Sequence, residues 1–253
     1  MTPPLLALTK GPSPLWYLSR GTGLVSLALL TAVVLLGLLQ VSRWSSPLWP
    51  RFVVQGLHRN LSLLVLVVLG LHIVTAELDT FAPVGWLAVA VPFVSAYRPI
   101  WLGLGTLAFD LVLALVATSL LRARLGYRAW RPVHWAAYAC WPVAFVHGLG
   151  TGTDTRLGWV IWLSWGCAGA VMTAAAWRLA RGWPGHRGVR LGAAGAVALA
   201  MAAVCAWAAQ GPLQPGWARR AGTPVRLLSS TTRPATAATE AGGGKEGERT
   251  SRG

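Results

Sequence analysis

The sequence predicts an all-α membrane protein, built as a bundle of six transmembrane helices. Of its 253 residues 55% are hydrophobic and 11% are charged, whereas soluble globular chains carry about 25% charged residues. Several apolar runs reach the roughly 20 residues that a helix needs to cross a hydrocarbon core about 30 Å thick. The 15 tryptophans fit the same class, because Trp concentrates at the membrane–water interface.

The chain divides into a Pro-rich start, an apolar middle and a polar end. We expect residues 1–15 to lie outside the membrane and residues 16–209 to form the six-helix domain. Residues 210–253, rich in Pro, Gly, Thr and Arg, are expected to be a disordered basic tail. Residues 77–100 contain Pro92 and are interpreted as a re-entrant or interfacial segment. The expected spans are 16–40, 55–76, 101–121, 133–150, 157–180 and 191–209.

Arginines in the short loops predict the orientation. The loops after spans one, three and five hold nine arginines, and those after spans two and four hold two. Basic loops remain in the cytoplasm, so both termini are predicted outside, in what we expect to be a bacterial plasma membrane. A net charge of +15 suggests nucleic acid for a soluble protein. Here the charges lie in loops and tail, where they act as topology signals and attract anionic lipid headgroups, so no nucleic-acid partner is expected.

Four of the five histidines form two pairs on two of the expected spans. His58 and His72 are fourteen residues apart, a climb of about 21 Å that returns to within about 40° of the same helix face. His134 and His147 are thirteen residues apart. Both spans run in the same direction, which sets His58 level with His134 and His72 level with His147. Thirteen residues turn an ideal helix by about 220°, so the second pair needs a kink at Pro142 or a local rewinding.

Two imidazoles per level indicate a particular kind of metal centre. Zinc takes four protein ligands in structural sites and usually three in catalytic ones, and no Cys, Asp or Glu accompanies the pairs. Haem supplies four equatorial nitrogens, so two histidines complete its coordination, and such a centre transfers electrons without binding ligands at the iron. The three cysteines are isolated in apolar segments without a CxxC motif, and we expect them to be small buried hydrophobic residues.

The segments HRNLSLLVLVVLGLH and HWAAYACWPVAFVHG resemble the ferric reductase-like transmembrane domain. That superfamily includes NADPH oxidases, ferric reductases and the haem-binding membrane subunit of a bacterial periplasmic methionine-sulfoxide reductase. The resemblance covers roughly residues 16–180 and implies a six-helix bundle with two b-type haems. It implies that His58 and His134 hold the cytoplasmic-side haem, and that His72 and His147 hold the outer one.

The sequence is compatible with several electron donors and acceptors. No GxGxxG follows a predicted strand, so electrons are expected from a partner reductase, a bound flavin (FMN or FAD) or a membrane quinol. The expected acceptor is external: ferric ion, dioxygen or a periplasmic-type reductase subunit. The chain would then be an oxidoreductase or the membrane electron-transfer subunit of one. The alternatives are a quinol-oxidising cytochrome b subunit of a larger complex, and a haem-free transporter or structural membrane protein.

Four arginines are candidates to bind the anionic propionates of haem. Arg59 and Arg131 adjoin the inner histidines, whereas Arg20 and Arg98 lie near the outer level. Each of them could instead act as a topology signal or snorkel to the interface.

Three other features concern residues outside the histidine pairs. Asp110, near the middle of the third span, is expected to carry protons or to hydrogen-bond a neighbouring Trp, Ser or Thr. His186 is expected to be a solvated loop residue. The sixth span has no ionisable residue and receives no role beyond packing.

Overall fold

The computed structural model describes residues 13–230 except 83, 153, 182 and 183. These residues form helices and no strand, so the all-α membrane class is confirmed. Residues 1–12 of the predicted N-terminal segment and residues 231–253 of the predicted tail lie outside the described residues. The helices are α1 (Pro14–Val41), α2 (Arg51–Leu78), α3 (Leu87–Ala90), α4 (Pro99–Leu120), α5 (Arg122–His134), α6 (Ala137–Thr151), α7 (Gly158–Ala180), α8 (Arg187–Gln210), α9 (Trp217–Arg220) and α10 (Val225–Ser230).

Five of these helices, α1, α2, α4, α7 and α8, are long and apolar enough to cross a membrane. The fourth expected span, 133–150, corresponds to α6, which has 15 residues. The structure therefore agrees approximately with the six predicted spans, of which the fourth is a short helix. A helix of this length is typical of a buried core element, and α6 has that role because Cys140, Trp141 and Phe145 are all buried.

Prolines mark the start of the first spanning helices. α1 begins with Pro14, and the side chain of Ser13 accepts a hydrogen bond from the Trp16 amide at 3.2 Å. α2 begins directly after Pro50, four residues before the expected position. Proline suits the first helical turn because its missing N–H would have no partner there.

The core lies where α1, α4, α6 and α7 meet. α1 runs along α2 and also contacts α6 and α7, while α4 runs along α6. The indole of Trp141 in α6 stacks on Phe145 with centroids 5.1 Å apart, and its Nε1 donates to Thr31 Oγ1 in α1 at 2.9 Å. A buried indole N–H needs such a partner. The buried members of this core are Leu27, Leu30, Val65, Val112, Cys140, Trp141, Phe145, Leu149, Cys167, Ala168 and Ala208.

The connection between α2 and α4 folds back onto α4 and contains only the four-residue α3. Thr106 Oγ1 donates to the Ala88 carbonyl at 2.6 Å. Phe93, at a φ of 69°, lies so close to Gly103 that a Cβ on that glycine would be 2.2 Å from the phenyl ring. The interpretation of residues 77–100 as a non-spanning segment agrees with this arrangement.

The part of the predicted tail that is described differs from the expectation of disorder. Residues 211–230 contain α9 and α10, and they pack on the ends of α4 and α6. Trp217 Nε1 donates to the Gly150 carbonyl at 3.0 Å, and the Gly222 carbonyl accepts from the Arg98 amide at 3.2 Å. Composition averaged over the whole tail conceals these few anchoring residues.

Candidate functional site

The bundle brings the four histidines together in the two pairs that their spacing predicts. The ring centroids of His58 and His134 are 6.4 Å apart with an interplanar angle of 72°. Those of His72 and His147 are 6.5 Å apart at 81°. Within each pair, one ring comes from α2 and the other from the α5–α6 segment, and the two pairs lie at different depths along the bundle.

A tightened turn between α5 and α6 aligns the second pair of histidines. The amide of Ala136 donates to the carbonyl of Val133, and those of Tyr138 and Ala139 likewise donate three residues back. Such bonds wind the chain at about 3.0 residues per turn instead of 3.6. An ideal helix would leave His134 and His147 on different faces, and the overwound residues between them supply much of the missing rotation. The local rewinding expected from the thirteen-residue spacing is thus present, and it lies just before Pro142.

Backbone carbonyls define the protonation of three of the four rings. Nδ1 of His58 lies 3.1 Å from the Val33 oxygen, and Nδ1 of His72 lies 2.7 Å from the Ser19 oxygen. A carbonyl oxygen can only accept, so these contacts assign the proton to Nδ1 and leave the Nε2 lone pair free.

The same contact occurs once more, on the second ligand segment. Nδ1 of His147 lies 2.8 Å from the Trp101 oxygen. Metal-bound histidines commonly donate their other N–H to a carbonyl in this way, which fixes the tautomer and the ring orientation.

His134 is held differently. Its Nδ1 is buried and has no hydrogen-bond partner among the described residues. Trp130 stacks on the imidazole with centroids 4.6 Å apart and planes 26° apart, and the Trp130 Nε1 donates to Ser119 Oγ at 3.1 Å. The Arg122 guanidinium lies over the Trp130 indole, 4.6 Å from the ring centroid.

The separations between paired rings match a single metal ion between two imidazoles. Each nitrogen lies about 2.0–2.1 Å from a first-row metal, which places the two ring centroids about 6–6.5 Å apart. Within the described chain, no group of three or more His, Cys, Asp or Glu side chains could hold a metal ion. A zinc site therefore fits poorly, whereas two axial nitrogens are what haem requires from a protein.

An open cleft lies at the His72–His147 pair. α2, α4 and α6 form its sides, and the connection that carries α3 closes one edge. Most lining residues are apolar. Glu77 is an exception that the sequence did not single out as a site residue; it lines the cleft, and its Oε1 is buried without a partner in the described chain.

Of the outer arginines, only Arg20 lies beside a histidine pair. It adjoins Ser19, whose carbonyl bonds His72, and it pairs with Asp154 while lying 5.7 Å from the Trp16 ring centroid. Arg98 is only 1% exposed, and it donates to the carbonyls at the end of α6. Arg98 thus caps a helix instead of facing the cleft.

The inner arginines are exposed. Arg59 follows His58 at the surface of α2, and Arg131 lies 5.8 Å from the Tyr127 ring centroid and 5.5 Å from that of Trp135. Arg122, which the sequence did not single out, lies over Trp130, and Trp130 in turn stacks on the His134 ring.

The remaining candidates lie away from the pairs. Asp110 is partly buried in α4 and makes no hydrogen bond to another described residue, so the expected bond to a Trp, Ser or Thr is absent there. His186 is exposed in the turn before α8.

Five apolar helices around two facing pairs of imidazoles define a helical membrane protein with paired histidines inside the bundle. The family model described as ferric reductase like transmembrane component matches residues 22–145. Residues 22–145 are thus similar to that family, in agreement with the resemblance of the histidine segments. The match includes His58, His72 and His134 and ends two residues before His147. Neither the curated proteins nor the solved structures gave a match. The family indicates membrane electron transfer, and its domains generally bind haem.

Proposed function

We propose that this chain is a transmembrane di-haem b electron-transfer protein that passes electrons across the membrane to an external acceptor. The observation that carries the proposal is the spacing of the rings, 6.4 Å in one pair and 6.5 Å in the other. Both values suit one metal ion between two imidazoles. The family match supports the same class of chemistry.

In this proposal each histidine has one role. His58 and His134 hold the haem nearer the cytoplasm, and His72 and His147 hold the outer one. A haem held by each pair would supply one-electron iron chemistry. The protein contributes the orientation of the rings, which the carbonyl contacts at Nδ1 fix for three of the four, and an apolar bundle that excludes water.

The distribution of arginines supports the proposed orientation, with the His58–His134 pair on the cytoplasmic side. Basic loops remain in the cytoplasm, and the α5 segment with its four arginines adjoins the His58–His134 pair. Electrons would enter there from a separate reductase, a bound flavin or a membrane quinol. They would leave at the His72–His147 pair to an external protein or ion. The termini would lie outside a bacterial plasma membrane.

Optical spectroscopy tests the proposal. Full-length protein is purified in detergent after expression with added haem precursor, and its spectrum is recorded after reduction with dithionite. We expect the α-band of a b-type haem and two haems per chain by pyridine haemochromogen assay. In vesicles, external dithionite should then reduce ferricyanide trapped inside. A colourless protein, or vesicles no faster than protein-free ones, would reject the proposal.

A further inference from the structure

Three glycines lie directly against the histidine rings. A Cβ on Gly23 would be 3.0 Å from Cε1 of His72, and one on Gly37 would be 3.4 Å from Cε1 of His58. On Gly105 it would be 2.4 Å from Cε1 of His147. Real Cβ atoms essentially never approach within 3.0 Å of a non-bonded heavy atom. An added methyl group would therefore be tolerated best at Gly37 and least at Gly105.

Each of these glycines follows the carbonyl that bonds the same ring by four residues. Ser19 precedes Gly23, Val33 precedes Gly37, and Trp101 precedes Gly105. Residues four apart lie on one helix face, one turn apart. The imidazole edge therefore occupies the gap that the missing side chain leaves, and Nδ1 reaches the carbonyl one turn away.

We call each of these carbonyls, together with the glycine four residues after it, a unit. The two units on α1 repeat with the same period as His58 and His72 on α2. Gly23 and Gly37 are fourteen residues apart, as are His58 and His72. Because α1 and α2 are consecutive helices packed along each other, the equal periods keep both rings in register with their units. The α4 helix provides a third unit for His147.

We propose that Gly23, Gly37 and Gly105 are positioning residues that set the ring planes of His72, His58 and His147 and so determine how firmly each haem is held. This inference rests on the proposed di-haem function. The near-perpendicular planes, 72° in one pair and 81° in the other, are the geometry that the glycines maintain.

The fourth histidine shows what happens without such a unit. One further period of fourteen residues along α4 leads from Gly105 to Ser119, where the hydroxyl bonds Trp130 instead of leaving a gap. His134 accordingly lacks a carbonyl partner for Nδ1 among the described residues, and Trp130 stacks on its face. The outer centre is thus anchored through both rings and the inner centre through one.

Alanine substitutions with matched controls test the inference. Gly105→Ala should lose the outer haem, lowering the content from two haems per chain to one. Gly23→Ala should retain haem about 10–100-fold more weakly at that centre, and Gly37→Ala should change the inner centre least. Gly21 and Gly148 have no neighbouring atom within 4 Å of an added Cβ. Gly21→Ala and Gly148→Ala should therefore keep both haems, because Ala favours a helix over Gly.

A second readout follows the ring planes directly. Low-spin ferric haem with perpendicular imidazole planes gives a strongly anisotropic EPR signal at high g, which moves to lower g as the planes turn toward parallel. We expect Gly23→Ala to shift one of two such signals and the controls to shift neither. If Gly105→Ala does not accumulate, the Gly23→Ala result decides.

The outcomes separate the inference from the function on which it rests. Wild-type protein without haem would reject the di-haem proposal itself. Wild-type protein with two haems, and Gly23→Ala and Gly105→Ala variants with unchanged haem retention and EPR signals, would reject only the positioning role. Equal losses in the Gly21→Ala and Gly148→Ala controls would reject it as well, because they would show a general effect of alanine on the helices.

Discussion

The guanidinium of Arg98 donates a hydrogen bond to the carbonyl oxygen of Thr151 across 2.8 Å. The same side chain reaches the Gly150 carbonyl at 3.3 Å and Thr223 Oγ1 at 2.9 Å. Arg98 has a φ of 45° and directly precedes Pro99, the first residue of α4. One buried cation thus joins the start of α4, the end of α6 and the C-terminal segment, where a positive charge also complements the α6 dipole.

Replacement of Arg98 by Met should destabilise the protein. The change removes three hydrogen bonds, including the one to the Thr151 carbonyl, a loss of about 2–4 kcal/mol. Thermal unfolding in detergent would register it as a lower Tm. Arg98→Lys should recover only part of the loss, because an ammonium cannot reproduce the planar fork of donors. An unchanged Tm in Arg98→Met would contradict the capping role.

The hydrogen bond from Trp141 to Thr31 predicts that replacing the donor and replacing the acceptor destabilise the protein to different extents. Trp141→Phe removes the donor and should cost about 1–2 kcal/mol, whereas Thr31→Val leaves a buried N–H unpaired and should cost about 1–3 kcal/mol. The double variant should lose less than the sum of the two. Denaturation monitored by circular dichroism provides the comparison, and strictly additive losses would show that the two side chains act independently.

The Arg20–Asp154 pair predicts opposite shifts in the redox potential of the proposed outer haem. A nearby cation stabilises the added electron, so Arg20→Met should lower the midpoint potential and Asp154→Asn should raise it. Both side chains are partly exposed, at 18% and 37%, so we expect a stability change of only about 0–1 kcal/mol. Spectroelectrochemical titration measures the potentials, with the exposed Arg156 replaced by Met as the control. Shifts of the same sign in the Arg20 and Asp154 variants would refute this electrostatic role.

Hydropathy and spacing were sufficient to predict the helical membrane fold and the facing of His58 on His134. Both depend on side-chain patterns that recur along one helix. The thirteen-residue spacing predicts a kink or a rewinding between His134 and His147, but not the tightened turn near Ala136. The position of that turn depends on backbone hydrogen bonds that the sequence does not display. The only local signal was Pro142, whose missing N–H weakens the turn before it.

The supporting contacts were harder to predict because most involve backbone acceptors. Any residue type supplies a carbonyl, so Ser19 and Trp101 carry no signature of their bonds to histidine. Their identification requires the register between two helices. One signal was available: Gly23 and Gly37 repeat with the same period as the histidines on α2. Arg98 was expected near a propionate, but the C-terminal segment that it anchors could not be anticipated from a Pro- and Gly-rich composition.

Haem stoichiometry in four single variants shows which histidines hold the same haem. His58→Ala and His134→Ala should each lose the same haem, and His72→Ala and His147→Ala should each lose the other, as distinguished by midpoint potential and EPR signal. His186→Ala, which changes an exposed loop residue, should retain both. The proposed pairing of the rings predicts that the losses are shared across helices, by depth in the bundle. Losses shared along one helix, with His58→Ala matching His72→Ala, or four variants that all keep two haems, would contradict it.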